Sequence, residues 1–161
     1  MANRDSDLAQ VLAKYDRLVD WERRDRTAMK VDIAPLRDLL HQLDNPQKNF
    51  RTIHIAGTKG KGSVGALIEA GLHRAGLACG RFSSPHVERI TFGGQEIREP
   101  MLARMLHQAW LARERALLNS DPGGNTTRFD LETLAAILAF VEAKVSWAVI
   151  ECGLGGRTDS T

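Results

Sequence analysis

The chain has only two cysteines, Cys79 and Cys152. Two cannot build a disulfide framework, nor a zinc site without other ligands. Both lie in apolar, strand-like runs, which reads as reduced, buried thiols; a disulfide between neighbouring strands is the alternative. No run approaches the roughly eighteen consecutive apolar residues of a membrane span. Residues 1–8 are polar and charged, unlike a secretory leader. These absences point to a cytoplasmic chain with no membrane partner. Charge of one sign is also scarce: Lys+Arg 22 against Asp+Glu 20, a formal net charge of +2. That surplus gives no basis for a nucleic-acid partner. There is no internal repeat and no low-complexity tract. His41, His54, His73 and His107 have no partners at metal-ligand spacing and read as structural or surface groups.

What is present suits one globular domain of 161 residues, 43% of them hydrophobic. Leu8, Val11, Leu12, Tyr15, Leu18 and Val19 share one helical face. A very polar connector, residues 22–26, follows. A second helix is predicted over 33–43, on the stripe Ile33, Leu36, Leu40 and Leu43, with Asn45-Pro46 as its stop. The period then changes. Residues 52–56 are β-branched and apolar and read as a buried strand. Residues 57–62 form a glycine-rich turn, and 63–75 carry the helical stripe Val64, Leu67, Ile68 and Leu72. Residues 78–82 are a second strand, which completes a βαβ unit. Further on come a small hairpin (90–92 and 95–97), a long helix over 99–118, and a helix on the stripe Leu131, Leu134, Ala135, Leu138 and Val141. A third buried strand covers 147–151. The pattern is α/β with a mostly parallel sheet. With about three main strands it looks cut short.

Three segments carry chemistry. In Gly57-Thr58-Lys59-Gly60-Lys61-Gly62-Ser63, glycines let the backbone turn tightly and aim N–H groups at phosphate oxygens. The following helix N-terminus adds partial positive charge. Lys61 is placed to meet the β- and γ-phosphates, and Ser63 to offer a hydroxyl to Mg²⁺. Ile55 stands where the usual phosphate-loop pattern has its first glycine, and Gly62 separates Lys61 from Ser63. A glycine-rich turn without a ligand is the bland alternative. In Ser83-Ser84-Pro85-His86, past the second strand, a serine hydroxyl suits a hard cation and His86 a phosphate or substrate; an ordinary proline turn is the alternative. Glu151, closing the third strand, is either a Mg²⁺ ligand or a carboxylate reaching solvent at the strand tip. Lys59, Arg81 and Arg157 read as solvated charges within reach of phosphate.

Together these runs resemble the folylpolyglutamate synthase / dihydrofolate synthase family of the Mur ligase superfamily. The matching residues are the run from His54 to Ser63, Ser84-Pro85-His86, Thr127-Arg128-Phe129-Asp130 leading to Thr133, and the run from Ala148 to Arg157. The resemblance implies a P-loop NTPase-like, mostly parallel sheet flanked by helices, the N-terminal portion of the Mur ligase central ATPase domain. Residues 1–50 would be an N-terminal helical segment and 51–161 a partial P-loop ATP-binding domain. It implies an ATP- and Mg²⁺-dependent amide ligase. A folate or dihydropteroate carboxylate becomes an acyl phosphate, which the amine of L-glutamate attacks. Lys61 would hold phosphates, the glycines of the loop would wrap them, and Ser84 and Glu151, with Ser63, would bind Mg²⁺. Thr127, Phe129 and Asp159 fall at pterin-side positions; Ser84, His86 and Arg157 complete the expected substrate contacts. The family runs much longer, so this chain reads as a truncated piece, inactive alone and open to self-association through an exposed sheet edge. The competing reading is a stand-alone nucleotide-binding or interaction module that has lost the chemistry. A P-loop kinase or GTPase of another class is disfavoured, because no guanine-reading or lid segment is evident.

Overall fold

The strands assemble around the last of them. In a computed structural model of the chain, residues 4–18, 32–83, 90–153 and 159–161 are described. Helices α1 (Arg4–Tyr15) and α2 (Ala34–Gln42) precede β1 (Arg51–Ile55), α3 (Lys61–Arg74) and β2 (Cys79–Phe82). A hairpin of β3 (Ile90–Phe92) and β4 (Gln95–Glu96) leads to α4 (Glu99–Leu118), α5 (Arg128–Glu142) and β5 (Trp147–Glu151). Val19, Trp21, the polar connector, Ser84, Pro85, His86 and Arg157 lie outside the described residues.

The five strands form one sheet in the order β1-β5-β2-β3-β4. β5 runs parallel to both β1 and β2, with Glu151 opposite Ile55 and Ile150 opposite Phe82. The hairpin extends the sheet antiparallel from β2. All three parallel strands therefore end on one rim, where open α/β sheets bind ligands. The expected hairpin belongs to this same sheet.

Side chains alternate across β5 as strand geometry requires. Ala148 and Ile150 join the core under α4 and α5, together with Leu106, Ala109, Leu131 and Phe140. Tyr15, Leu36 and Leu39, from α1 and α2, complete that core. Val149 instead faces α3, where it lies 3.7 Å from the position a Cβ on Gly65 would occupy. The result is α3, then sheet, then the remaining helices. Phe140 packs so tightly on β2 that a Cβ at Gly80 would sit 2.6 Å from its ring. Burying such an aromatic contributes about 2–3 kcal/mol.

Two expectations are corrected. β1 is not a buried strand: Arg51, Thr52 and His54 are exposed. Among the described residues it borders the sheet and pairs with β5 alone, a placement set by strand order and not by its own apolar content. The stripe on α3 faces the sheet only in part: Ile68 and Leu72 are half-buried. Val64 is 46% exposed and Leu67 73%, whereas Gly65 and Glu69 are the buried positions. Gly65 admits Ile55, Val149 and the stem of Arg81 at close range, and the Glu69 carboxylate finds donors beneath the helix. These contacts leave Val64 and Leu67 on the outer side of α3.

Candidate functional site

The rim is built from backbone upward. β1 ends at Ile55, and Gly57 to Gly60 are exposed. Gly60 caps α3 in the left-handed region, at φ +79°, a conformation costly to residues with a Cβ. The helix therefore starts at Lys61, two residues earlier than the expected Ser63. That places Lys61, Gly62 and Ser63 in its first turn, where free N–H groups and the helix dipole favour an anion.

The Lys61 ammonium reaches back across this turn. It donates to the Gly57 carbonyl at 3.1 Å and forms an ion pair with Glu151 Oε1 at 3.7 Å. The side chains are 17% and 12% exposed respectively, so each charge needs the other. Glu151 Oε2 lies 3.6 Å from where a Cβ on Gly62 would project. The loop after β1, the start of α3 and the end of β5 thus meet at one point. Ser63 is exposed beside it, as are Thr58 and Lys59.

Two residues past Glu151 the chain enters a second cluster. A Cβ on Gly153 would meet Phe129 Cζ at 3.1 Å and Asp159 Oδ2 at 3.3 Å. The Phe129 ring stacks on Phe82, with centroids 6.3 Å apart. Thr127 caps α5: its hydroxyl accepts from the Asp130 amide at 3.2 Å and donates to Asp130 Oδ2 at 2.8 Å. Ser160 also donates to Asp130. Thr161 donates to Asp159 Oδ1 through its amide and its hydroxyl, at 3.1 and 2.6 Å, and its hydroxyl lies 2.9 Å from His54 Nε2. Lys61, Gly62 and Glu151 thus form one group and Phe129, Gly153 and Asp159 a second. Only Cys152 stands between Glu151 and Gly153 in the chain.

One group was missed in the sequence. Glu69 is 2% exposed. Its carboxylate accepts from Arg81 Nε at 3.0 Å, from the Thr91 hydroxyl at 2.8 Å and from the Gly94 amide at 3.1 Å. Arg81 in turn donates to the Ser83 hydroxyl. Arg81 is therefore not the solvated charge its sequence suggests. A lone glutamate in a helix carries no signal of burial, because its partners are remote in sequence.

For Mg²⁺, the donor chemistry fits. Glu151 supplies one hard carboxylate beside the helix turn that would hold phosphate, and Ser63 is in that turn. No cluster of three ligating side chains exists among the described residues, and Mg²⁺ needs none, since it keeps several waters and shares phosphate oxygens.

A glycine loop closing a strand, a helix that begins at its lysine, and a carboxylate ending the adjacent parallel strand define a P-loop NTPase-like α/β fold. No family profile matches the chain. It is 36% identical over 138 residues to the dihydrofolate synthase/folylpolyglutamate synthase of Bacillus subtilis, covering 83% of this chain and 32% of that protein. The Mycobacterium tuberculosis folylpolyglutamate synthase, solved with ADP and AMPPCP, superposes with a TM-score of 0.81 at 29% identity, over 99% of this chain and 34% of that one. A folylpolyglutamate synthase complex with AMPPCP and folate superposes with a TM-score of 0.82 at 34% identity, over 96% of this chain and 37% of that one. Across the part it spans, the chain is similar to members of the folylpolyglutamate synthase / dihydrofolate synthase family. It spans about a third of the length of these relatives.

Proposed function

We propose that this chain holds Mg²⁺-ATP in an ATP-dependent ligase that adds L-glutamate to a folate. The observation that carries this reading is the Lys61–Glu151 contact on the rim of the parallel strands, beside the left-handed Gly60 and the open turn of α3. The ADP, AMPPCP and folate found with structural relatives support it. In the reaction, a substrate carboxylate oxygen attacks the γ-phosphorus of ATP, giving an acyl phosphate and ADP. The glutamate amine then attacks the acyl carbon, forming the amide and releasing phosphate. The amine's proton goes to a base or to water.

The residues divide this work. Backbone amides from Gly57 to Gly62 and the ammonium of Lys61 offset the negative charge of the phosphates and hold the γ-group for in-line attack. Glu151, with Ser63, would hold the Mg²⁺ ion, which when bound screens the same charge. Ser84 would add a hydroxyl to that ion; His86 and Arg157 would contact phosphate or substrate. Thr127, Phe129 and Asp159 would face the pterin side. Stacking on Phe82 and the close approach at Gly153 give Phe129 a fixed orientation there.

Titration calorimetry of Mg²⁺-ATP against the wild-type chain and Lys61→Ala tests the reading. The wild type is expected to bind, and the variant to lose about tenfold or more, the value of one charge-assisted phosphate contact. Equal heats for both proteins would overturn it.

A further inference from the structure

We infer that Glu69 and Arg81 are positioning residues for the phosphate loop, acting through helix α3; this rests on the reading of that loop given above. The starting point is how α3 is attached. A helix on a sheet is ordinarily oriented by its apolar stripe. Here Val64 and Leu67 of that stripe are 46% and 73% exposed, and Ile68 and Leu72 only half-buried, so apolar packing directs the helix weakly. The fully buried positions of α3 are Gly65 and, one turn further on, Glu69. Gly65 gives contact without direction, because it has no side chain to interlock. The carboxylate of Glu69 gives direction.

That carboxylate is fully engaged. Arg81 Nε of β2 donates to Oε2, the Thr91 hydroxyl of β3 to both oxygens, and the Gly94 amide of the β3–β4 turn to Oε1. Arg81 is fixed at both ends: its Cδ lies 3.2 Å from the Cβ position of Gly65, and its Nη1 donates to Ser83 where β2 leaves the sheet. A buried, charge-assisted set of this kind tolerates little displacement. It sets the rotation and tilt of α3. Lys61 stands two turns up the same rigid helix, so that tilt sets where its ammonium and the amides of the first turn stand relative to Glu151. Binding sites demand placement within about 0.5 Å, which the contact at Gly65 and the half-buried Ile68 and Leu72 do not impose by themselves.

The probe is inorganic tripolyphosphate, titrated calorimetrically against the 161-residue chain. Arg81→Gln is expected to weaken binding by about tenfold with stoichiometry unchanged, and Arg81→Lys, which keeps the charge but loses the fork, to recover part of it. In a Lys61→Ala background the same Arg81→Gln change is expected to have a clearly smaller effect, because the charged group being positioned is gone and only the first-turn amides remain. A purely structural role would lower the stoichiometry at constant affinity. Should Arg81→Gln fail to fold, Thr91→Val removes one donor to Glu69 and leaves the ion pair; a loss of about twofold is then expected. Wild-type-like affinity in Arg81→Gln or in the folded Thr91→Val, or losses that add fully to that of Lys61→Ala, would overturn the positioning role alone. A wild-type chain that does not bind tripolyphosphate would overturn the loop reading and this role with it.

Discussion

At the scale of single residues, the decisive pair is Lys61 and Glu151. Held 3.7 Å apart, each neutralises the other where neither is well solvated. A bare triphosphate arriving at Lys61 meets the negative charge of Glu151, and a bare divalent cation arriving at Glu151 meets the ammonium. With both ligands bound each charge has a partner of opposite sign, so metal and phosphate should bind cooperatively. Glu151→Gln is therefore expected to strengthen ATP binding in EDTA by about threefold, and to shrink the improvement that Mg²⁺ gives. Paired titrations with and without Mg²⁺ measure both quantities. An unchanged Mg²⁺ effect in the variant would count against the carboxylate as the metal's holder.

At the scale of elements, the start of α5 is the best-defined boundary. Thr127 and Asp130 form a reciprocal capping box, and Asp130 is itself buried. Thr127→Ala removes the cap and one donor to that carboxylate. A loss of about 1–2 kcal/mol is expected, read as a lower urea midpoint at unchanged slope. The sequence pointed to this helix through Asp130 and its apolar stripe, and it delimited α4 at Glu99 and Leu118, because both helices bury a regular face. It misread α3 for the converse reason. The partners that rotate this helix are Arg81, Thr91 and Gly94, none of them within one turn of Glu69, and periodicity sees only neighbours. β1 was misread likewise: its five residues look like an interior strand, and only the insertion of β5 between β1 and β2 puts it at the border. Within the site, spacing alone put Lys61 in the glycine loop and Glu151 at a strand end. It could not supply Glu69.

At the scale of the whole molecule, Tyr15 reports on whether α1 belongs to the common core. Its ring is fully buried against Trp110, with centroids 5.9 Å apart, and its hydroxyl donates to the Leu106 carbonyl at 2.9 Å. Burial, followed by the nearby Glu132 carboxylate, pushes its ionisation far above the ordinary tyrosine range, against a smaller opposing effect of Arg128. A group whose folded pKa is raised stabilises the fold fully below its unfolded pKa, and that stability is lost as pH rises beyond it. Tyr15 is the only tyrosine in the chain, so absorbance at 295 nm follows it alone. The phenolate signal is expected to be absent through the ordinary tyrosine range and to appear together with loss of helical circular dichroism. Ionisation near pH 10 in a folded chain would show α1 detached.

The exit of β5 has a consequence for ligand shape. Glu151 and Gly153 belong to different clusters, yet two peptide units separate them, and covalent geometry allows those units a span of at most about 7 Å. The strand end therefore works as a ruler. Under the proposed function, an acyl donor activated beside Glu151 would have the Phe129 cluster within one short reach of its reacting end.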